Sequence, residues 1–526
     1  MNKKRLLIII LVFTFLLIFG IYLFNKKNKY NSLVVSNEKY EEIKQSRMES
    51  NGIKIENIKF NDYSILIDED KNTLYYSMID NSSKYNPTVK YDTKNYKVVV
   101  SEEITEEKVN NNNMFKLMIY DDSKYHEYNL IVTSLPILNI TYEENTKKDK
   151  RIPIELYLFD NRNNAHKKVL NSRGDLNIIN SDNDKKNYTF SLISESLGRN
   201  ERENNVSILG MQRHSEYLLN SLYDDEEKIR NVFTTNLWNE MSFSKNDNSE
   251  YVELFINNHY VGLYSLGYNI EKETLNLKND EFLFFKNDFV NSEEKYETTT
   301  NLDGYISYNK VLQNQIKKNI DKRQCNGANC PKIDSYKELK KYYENLLSGD
   351  IEKIKMVSNL ENSADLYLLY LFTQSSSNVS AETFSNTYLA FRRNSNSYFV
   401  EFIPWNMNYT FGHIVNQENN YKENVSDNSY VMKYNPITIL LELGDNDTKE
   451  LVKEKYKKLR DNILSEENIN KLLNNYEDKI FNSGAYLRDS LNWNKDSDNN
   501  LPNNLENFKE YVTERLKYMD EFINNL

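Results

Sequence analysis

YVELFINNHYVGLYSL, residues 251–266, is the stretch on which the class of the fold turns. Tyr251 to Ile256 reads as a strand, short and rich in aromatic and β-branched side chains, and Ile154 to Phe159 reads the same way. Around these strands the apolar period changes. Asp224, with Glu227 three residues on, resembles a helix N-cap and its capping-box partner, and Ile229, Phe233, Leu237 and Met241 then fall on one helical face. Ser335 with Glu338 caps another helix, which carries Leu339, Tyr342 and Leu346 and stops near Gly349. Past Asn435 the chain is mostly helical. Ser465 starts a run with Ile469, Leu472, Leu473, Tyr476 and Ile480 inward, and a final helix presents Leu505, Phe508, Val512, Leu516, Met519 and Phe522. Strands alternating with helices, then a helical C-terminal part, predict an α+β domain over residues 135–526.

Ahead of Leu135-Pro136 the reading is all-β. Ser64 to Ile67, Leu74 to Ile79, Tyr96 to Val100, Phe115 to Tyr120 and Asn129 to Thr133 are short strands between polar turns, one of them Asn110 to Asn113. This spacing predicts a small β-sandwich-like module, which with a polar stalk occupies residues 31–134. Nothing in it carries a catalytic pattern, so a spacer or interaction role is expected.

Residues 1–30 are dominated by Leu6 to Phe24, LLIIILVFTFLLIFGIYLF, without a charge. As a helix this run is about 28 Å long at ~1.5 Å per residue, close to the ~30 Å hydrocarbon core of a bilayer. It ends in Tyr22, Leu23 and Phe24, with no small-residue exit site and no lipobox cysteine. An uncleaved transmembrane signal anchor is expected, with the bulk of the chain extracytoplasmic; the competing reading is a buried core helix. Lys3, Lys4 and Arg5 precede the run and Lys26, Lys27 and Lys29 follow it, so the positive-inside rule leaves orientation open.

A net charge of −11 disfavours nucleic acid as the principal partner, because proteins that track phosphates show a basic face. Thirteen glycines in 526 residues argue against glycine-rich phosphate loops, and no Walker loop, G-x-G-x-x-G, H-E-x-x-H or G-x-S-x-G occurs. The histidines His126, His166, His214, His259 and His413 are scattered without metal-ligand spacing. Outside the cytoplasm, Cys325 and Cys330 in RQCNGANCPK read as a local disulfide around the Asn326-Gly327 turn. A redox or metal site is the rival, although zinc would want four ligands.

Six blocks, in order, resemble the spore coat protein H (CotH) kinase-like family, an atypical protein-kinase-like fold. They run from Leu135 to the C-terminus: SLPILNITY; NSRGDLNIINSDNDKKNYTFSL with Arg173, Gly174, Lys185, Lys186 and Tyr188; SEYLLNSLYDDEEKIRNVFTTNL with Asp224, Arg230 and Asn231. YVELFINNHYVGLYSL follows with Asn257, Gly262 and Tyr264, then FLFFKND with Lys286, and last DLYLLYLFTQSSSNVSAETFSNTYLAF with VEFIPWNMNYTFG. The resemblance implies transfer of phosphate from ATP, with Mg or Mn, to secreted or spore-coat proteins. It makes Arg173, Lys185 or Lys186, and Lys286 the candidate phosphate-side cations.

This sequence departs from the family where acid is needed. The family's metal-binding Trp-Asp-x-Asp element reads Trp405-Asn406-Met407-Asn408, so Asn406 and Asn408 form a degenerate metal site. The candidate catalytic aspartate is replaced within Asn378-Val379-Ser380-Ala381, leaving Ser380 or Ala381 at its position, and a third acidic position holds Tyr268. Glu382 lies nearby as a stand-in carboxylate, with Glu401 and Asp365 less suitably placed. Trp405, Thr410, Phe411 and Gly412 remain around the substituted positions. Two amides for two carboxylates remove up to two negative charges opposite a hard dication. The expected function is therefore a pseudokinase at the cell surface or spore coat that binds or organises other extracytoplasmic proteins. An active protein kinase working through Glu382 and the amides, and a structural adhesin, stay open as rivals.

Overall fold

Lys124–Thr133, KYHEYNLIVT, buries Tyr128, Leu130 and Val132 on one face and so fixes its own register in the first sheet. The computed structural model describes residues 34–526 except 55–58, 61–62, 78–88, 91–95, 113, 144–151, 161–168, 180–182, 195–201, 245, 247–248, 269, 287–334, 380–385, 415–424, 429–430, 433 and 494–503. The apolar run 6–24, Cys325 and Cys330 lie outside the described residues. Among those described, no helix is long and apolar enough to cross a membrane. The chain divides into two compact units: residues up to Gly174 with Val252–Leu263 and Asp478–Asn494, and Asp175–Tyr251 with Tyr264–Glu477 and Lys495–Leu526.

In the first unit, Lys124–Thr133 lies between Thr73–Ser77 and Met114–Tyr120, with Leu66–Asp68 and Lys97–Val100 at the edges. Its pairings with Thr73–Ser77 and with Met48–Glu49 are parallel. This larger sheet is therefore mixed, beside a small antiparallel one of Lys59–Phe60, Tyr63–Ser64 and Val89–Lys90, and parallel neighbours need a crossover that a pattern of short strands does not reveal. One face is built on Leu74, Tyr76, Phe115, Leu117 and Leu130. On the other, Tyr40 and Ile43 of helix Asn37–Gln45 cluster with Val99, Met118 and Tyr125. Part of the segment expected as a stalk thus packs as a helix, capped by Ser36, whose hydroxyl accepts from Lys39 N. The expected turn Asn110 to Asn113 follows a short helix, Glu106–Asn110, and Asn112 takes the left-handed conformation (φ 55°).

The opening strand of the C-terminal region is Ile137–Thr141, antiparallel to Ile152–Phe159 and parallel to Glu250–Ile256. Glu253 within it is fully buried, accepting from the Thr133 hydroxyl (2.8 Å) and from Arg488 of helix Ala485–Trp493. Leu263 N donates to Asp489 Oδ1 (2.8 Å) and Trp493 Nε1 to the Val261 carbonyl (2.6 Å). That close approach explains Gly262, whose φ of +142° and lack of a Cβ leave room for the Asp489 carboxylate.

The second unit holds Asn187–Ser194, paired antiparallel with Glu216–Asn220 and Arg202–Glu203. It also holds a three-stranded sheet of Phe282–Lys286, Thr387–Asn394 and Ser397–Pro404. Helix Leu360–Thr373 is buried from Asn362 to its end, which suits a central helix apolar on every side. The C-terminal helix Glu506–Asn524 buries the expected Phe508, Val512, Leu516 and Met519, together with Tyr511, Arg515 and Ile523, while Phe522 is half-buried. Helix Ser335–Leu346 buries Leu339, Tyr342 and Leu346 as expected. Glu466–Glu477 buries Ile469, Leu473 and Tyr476 but leaves Leu472 half-exposed. The expected cap at Asp224 is corrected. The helix there runs Arg230–Met241, Asp224 instead accepts from Asn183 Nδ2 (2.9 Å), and it is Asp225 that takes the Arg230 amide (2.6 Å).

Replacing Arg488 by methionine would strand the buried charge of Glu253. We expect a loss of about 3–5 kcal/mol, read as a lower urea midpoint of the cooperative unfolding transition.

Candidate functional site

The three-stranded sheet of the second unit leads directly into the site. Its register sets Lys286 opposite Thr387 and Thr387 opposite Pro404, so the Lys286 backbone ends its strand in the row that leads into Trp405. Past Pro404 the strand stops because Asn406 turns left-handed (φ 56°), a conformation asparagine tolerates. Phe411 (φ 50°) and Gly412 (φ 80°) complete the reversal, and Gln374 (φ 52°) ends the central helix beside it. Left-handed backbone costs a bulky residue roughly 1–2 kcal/mol, so this loop must be held by its surroundings.

It is held at both ends. Asn378, fully buried, donates through Nδ2 to the carbonyls of Asn386 and Trp405 (both 2.9 Å). Its Oδ1 accepts from the hydroxyls of Ser375 (2.6 Å) and Ser377 (3.0 Å). Met407 N donates to Asn231 Oδ1 (2.8 Å), Arg230 Nε to the Thr410 carbonyl (2.9 Å), and Phe411 N to the Thr373 carbonyl (2.6 Å). Arg230 and Asn231, singled out by the family resemblance, therefore act as tethers of this loop. Sequence reading missed Ser375, Ser377 and Asn386. Their one available signal was position, immediately flanking the Asn378 block.

The two amides expected at a degenerate metal site are bonded to each other, Asn408 Nδ2 donating to Asn406 Oδ1 (2.7 Å). Asn408 Oδ1 is buried without a hydrogen-bond partner among the described residues. The less suitable stand-in carboxylates are engaged elsewhere. Asp365 pairs with Lys455 (2.5 Å), and Glu401 accepts from Arg392 (2.6 Å), Ser244 (3.0 Å) and Asn359 (3.0 Å). Ser380 and Glu382 lie outside the described residues. Among those described, no three His, Cys, Asp or Glu residues group to hold a metal. Among the described residues, the side chains at positions 406 and 408 offer only neutral amide oxygens, and the carboxylates of Asp225 and Glu227 beside the loop are engaged by Arg230; neutral amides alone do not fit a hard dication bridging a triphosphate.

Two of the expected phosphate-side cations have partners that are placed. Lys185 is fully buried, donating to the Ser221 carbonyl (2.6 Å) with its ammonium 4.5 Å from the Tyr264 ring centroid. Lys186 donates to the Asn183 carbonyl (2.6 Å). Lys286 is placed only by its strand register, and Arg173 is exposed on Val169–Ile179, in the first unit. Tyr268, expected at an acidic position, stacks on His214, ring centroids 5.2 Å apart.

Burial, and next the Arg230 charge, push His413 down to about 4. Burial pushes Asp365 up to about 6 against the pull of Lys455. The two groups act on stability with opposite sign.

Compared with models of protein families, residues 170–519 match the one described as CotH kinase protein. The matched span takes in five of the six blocks quoted above, and SLPILNITY precedes it. No curated protein matches the sequence.

Asn378→Ala would remove the buried amide that donates to the Trp405 and Asn386 carbonyls and accepts from the Ser375 and Ser377 hydroxyls, and we expect it to cost about 3 kcal/mol in chemical unfolding. Neutral His413 contributes stability that is complete above the ordinary value of 6.5 and is lost as pH falls toward 4. Over that window the urea midpoint of the wild type should fall more steeply than that of His413→Gln.

Proposed function

The chain belongs to the CotH kinase protein family, and from that premise we propose that it is a pseudokinase, retaining the family's scaffold for binding and organising other extracytoplasmic proteins. One observation carries the reading. The Asn408 amide donates to the Asn406 amide oxygen inside a loop tethered by Asn378, Asn231 and Arg230. A metal clamp needs oxygens that face the ion and carry charge. Here the side chains at those two positions serve the shape of the loop instead. The occupation of Lys185 by the Ser221 carbonyl supports the same reading, because a cation drawn into the fold is not presented to phosphate. In this reading residues 6–24 anchor the protein in a membrane, the remainder is displayed at the cell surface or in the spore coat, and the partners are neighbouring surface or coat proteins. Nucleotide affinity is at most weak.

The test is direct. The purified protein is incubated with labelled ATP and Mg²⁺ or Mn²⁺, and thermal unfolding is followed with and without nucleotide. No phosphate incorporation is expected. Millimolar ATP should stabilise by less than about 0.4 kcal/mol, the value reached when ligand equals its Kd. Incorporation that disappears in Asn406→Ala or Glu382→Gln would establish an active kinase and end the pseudokinase reading.

A further inference from the structure

Asn51 and Gly52 occupy the turn that leads from strand Met48–Glu49 into the core of the first unit, and both are exposed. The turn is pinned on either side. Ser50 N donates to the Tyr125 carbonyl (2.9 Å), Ile53 N donates to the Ser50 carbonyl (3.4 Å), and the Ile53 side chain is buried in the sheet's core. Between those points the Gly52 amide has one partner among the described residues, the exposed Ser50 hydroxyl, to which its N–H donates at 3.3 Å, a bond that opens when the nitrogen attacks. A Cβ built at position 52 would meet only the Ser50 hydroxyl, at 3.5 Å. No hydrogen bond holds the Asn51 carboxamide among the described residues.

We propose that Asn51 is a site of spontaneous deamidation. The Gly52 amide nitrogen attacks Cγ of Asn51. A new bond between these two atoms closes a succinimide ring, the Cγ–Nδ2 bond of Asn51 breaks, and the carboxamide nitrogen leaves as ammonia with the proton that Gly52 N gives up. Water then opens the ring at either carbonyl, leaving aspartate or isoaspartate. Nothing is oxidised or reduced, and water is the sole co-reactant. Glycine permits the step because no Cβ shields the attacking nitrogen or restricts the backbone. The sequence has one other Asn-Gly pair, Asn326-Gly327, outside the described residues; every other asparagine precedes a residue that bears a Cβ. The product places a new negative charge two residues from Glu49. In its isoaspartate form it also inserts a methylene between the two pinned points, Ser50 and Ile53.

Peptide mapping of the folded full-length protein, aged at mildly alkaline pH and probed with a protein isoaspartate methyltransferase, tests this. The peptide holding Asn51 should convert at least about tenfold faster than that holding Asn37, which is exposed and precedes Glu38. Gly52→Ala, which meets only an ordinary contact, should slow Asn51 by a similar factor. Conversion of Asn51 no faster than Asn37, or unchanged in Gly52→Ala, would overturn the proposal.

Discussion

Arg230 is the residue on which the second unit depends. Its guanidinium is fully buried, paired with Asp225 and Glu227, 5.3 Å from the Phe508 ring centroid, and bonded to the Thr410 carbonyl. Burial alone would drive Asp225 toward its neutral form, and the Arg230 charge is the largest force opposing that. A buried ion cluster of this kind adds little net stability over apolar packing, yet removing one member is costly because the others are left stranded. Its product is therefore geometry. The start of helix Arg230–Met241, the loop through Thr410 and the C-terminal helix under Phe508 are obliged to meet at one charged group.

Much of this was legible in the sequence. The stripes Phe233, Leu237, Met241 and Phe508, Val512, Leu516, Met519 lie buried where a 3.6-residue period puts them. The strands around Tyr251 and Ile154 are also where their composition suggests. The mixed topology of the first sheet was not legible, since parallel pairing is a long-range property that local alternation does not encode. The capping box at Asp224 was a false match. Two adjacent aspartates compete for one role there, and the tertiary partner Asn183 takes Asp224 out of it.

The site was legible as a place and illegible as an arrangement. Trp405 to Gly412 could be located from its residues, and the amides at 406 and 408 are plain in the sequence. What those amides do depends on which partner each one finds in space. Lys185 makes the same point. On paper it is one more lysine in a polar run, and in the fold it is a fully buried brace for the Ser221 segment. Spacing carries no information about which way an ammonium turns.

The bond between Asn406 and Asn408 has an evolutionary consequence. Carboxylates at both positions would repel one another across the same short gap and would rely on a bound cation to settle the loop. With amides that repulsion is absent, and a hydrogen bond joins the two side chains instead. An aspartate at one position alone would give up the amide pairing and add a charge to a loop already tethered by the Arg230 ion cluster, without completing a clamp. Building a two-carboxylate clamp on this loop would thus need coordinated substitutions at both positions.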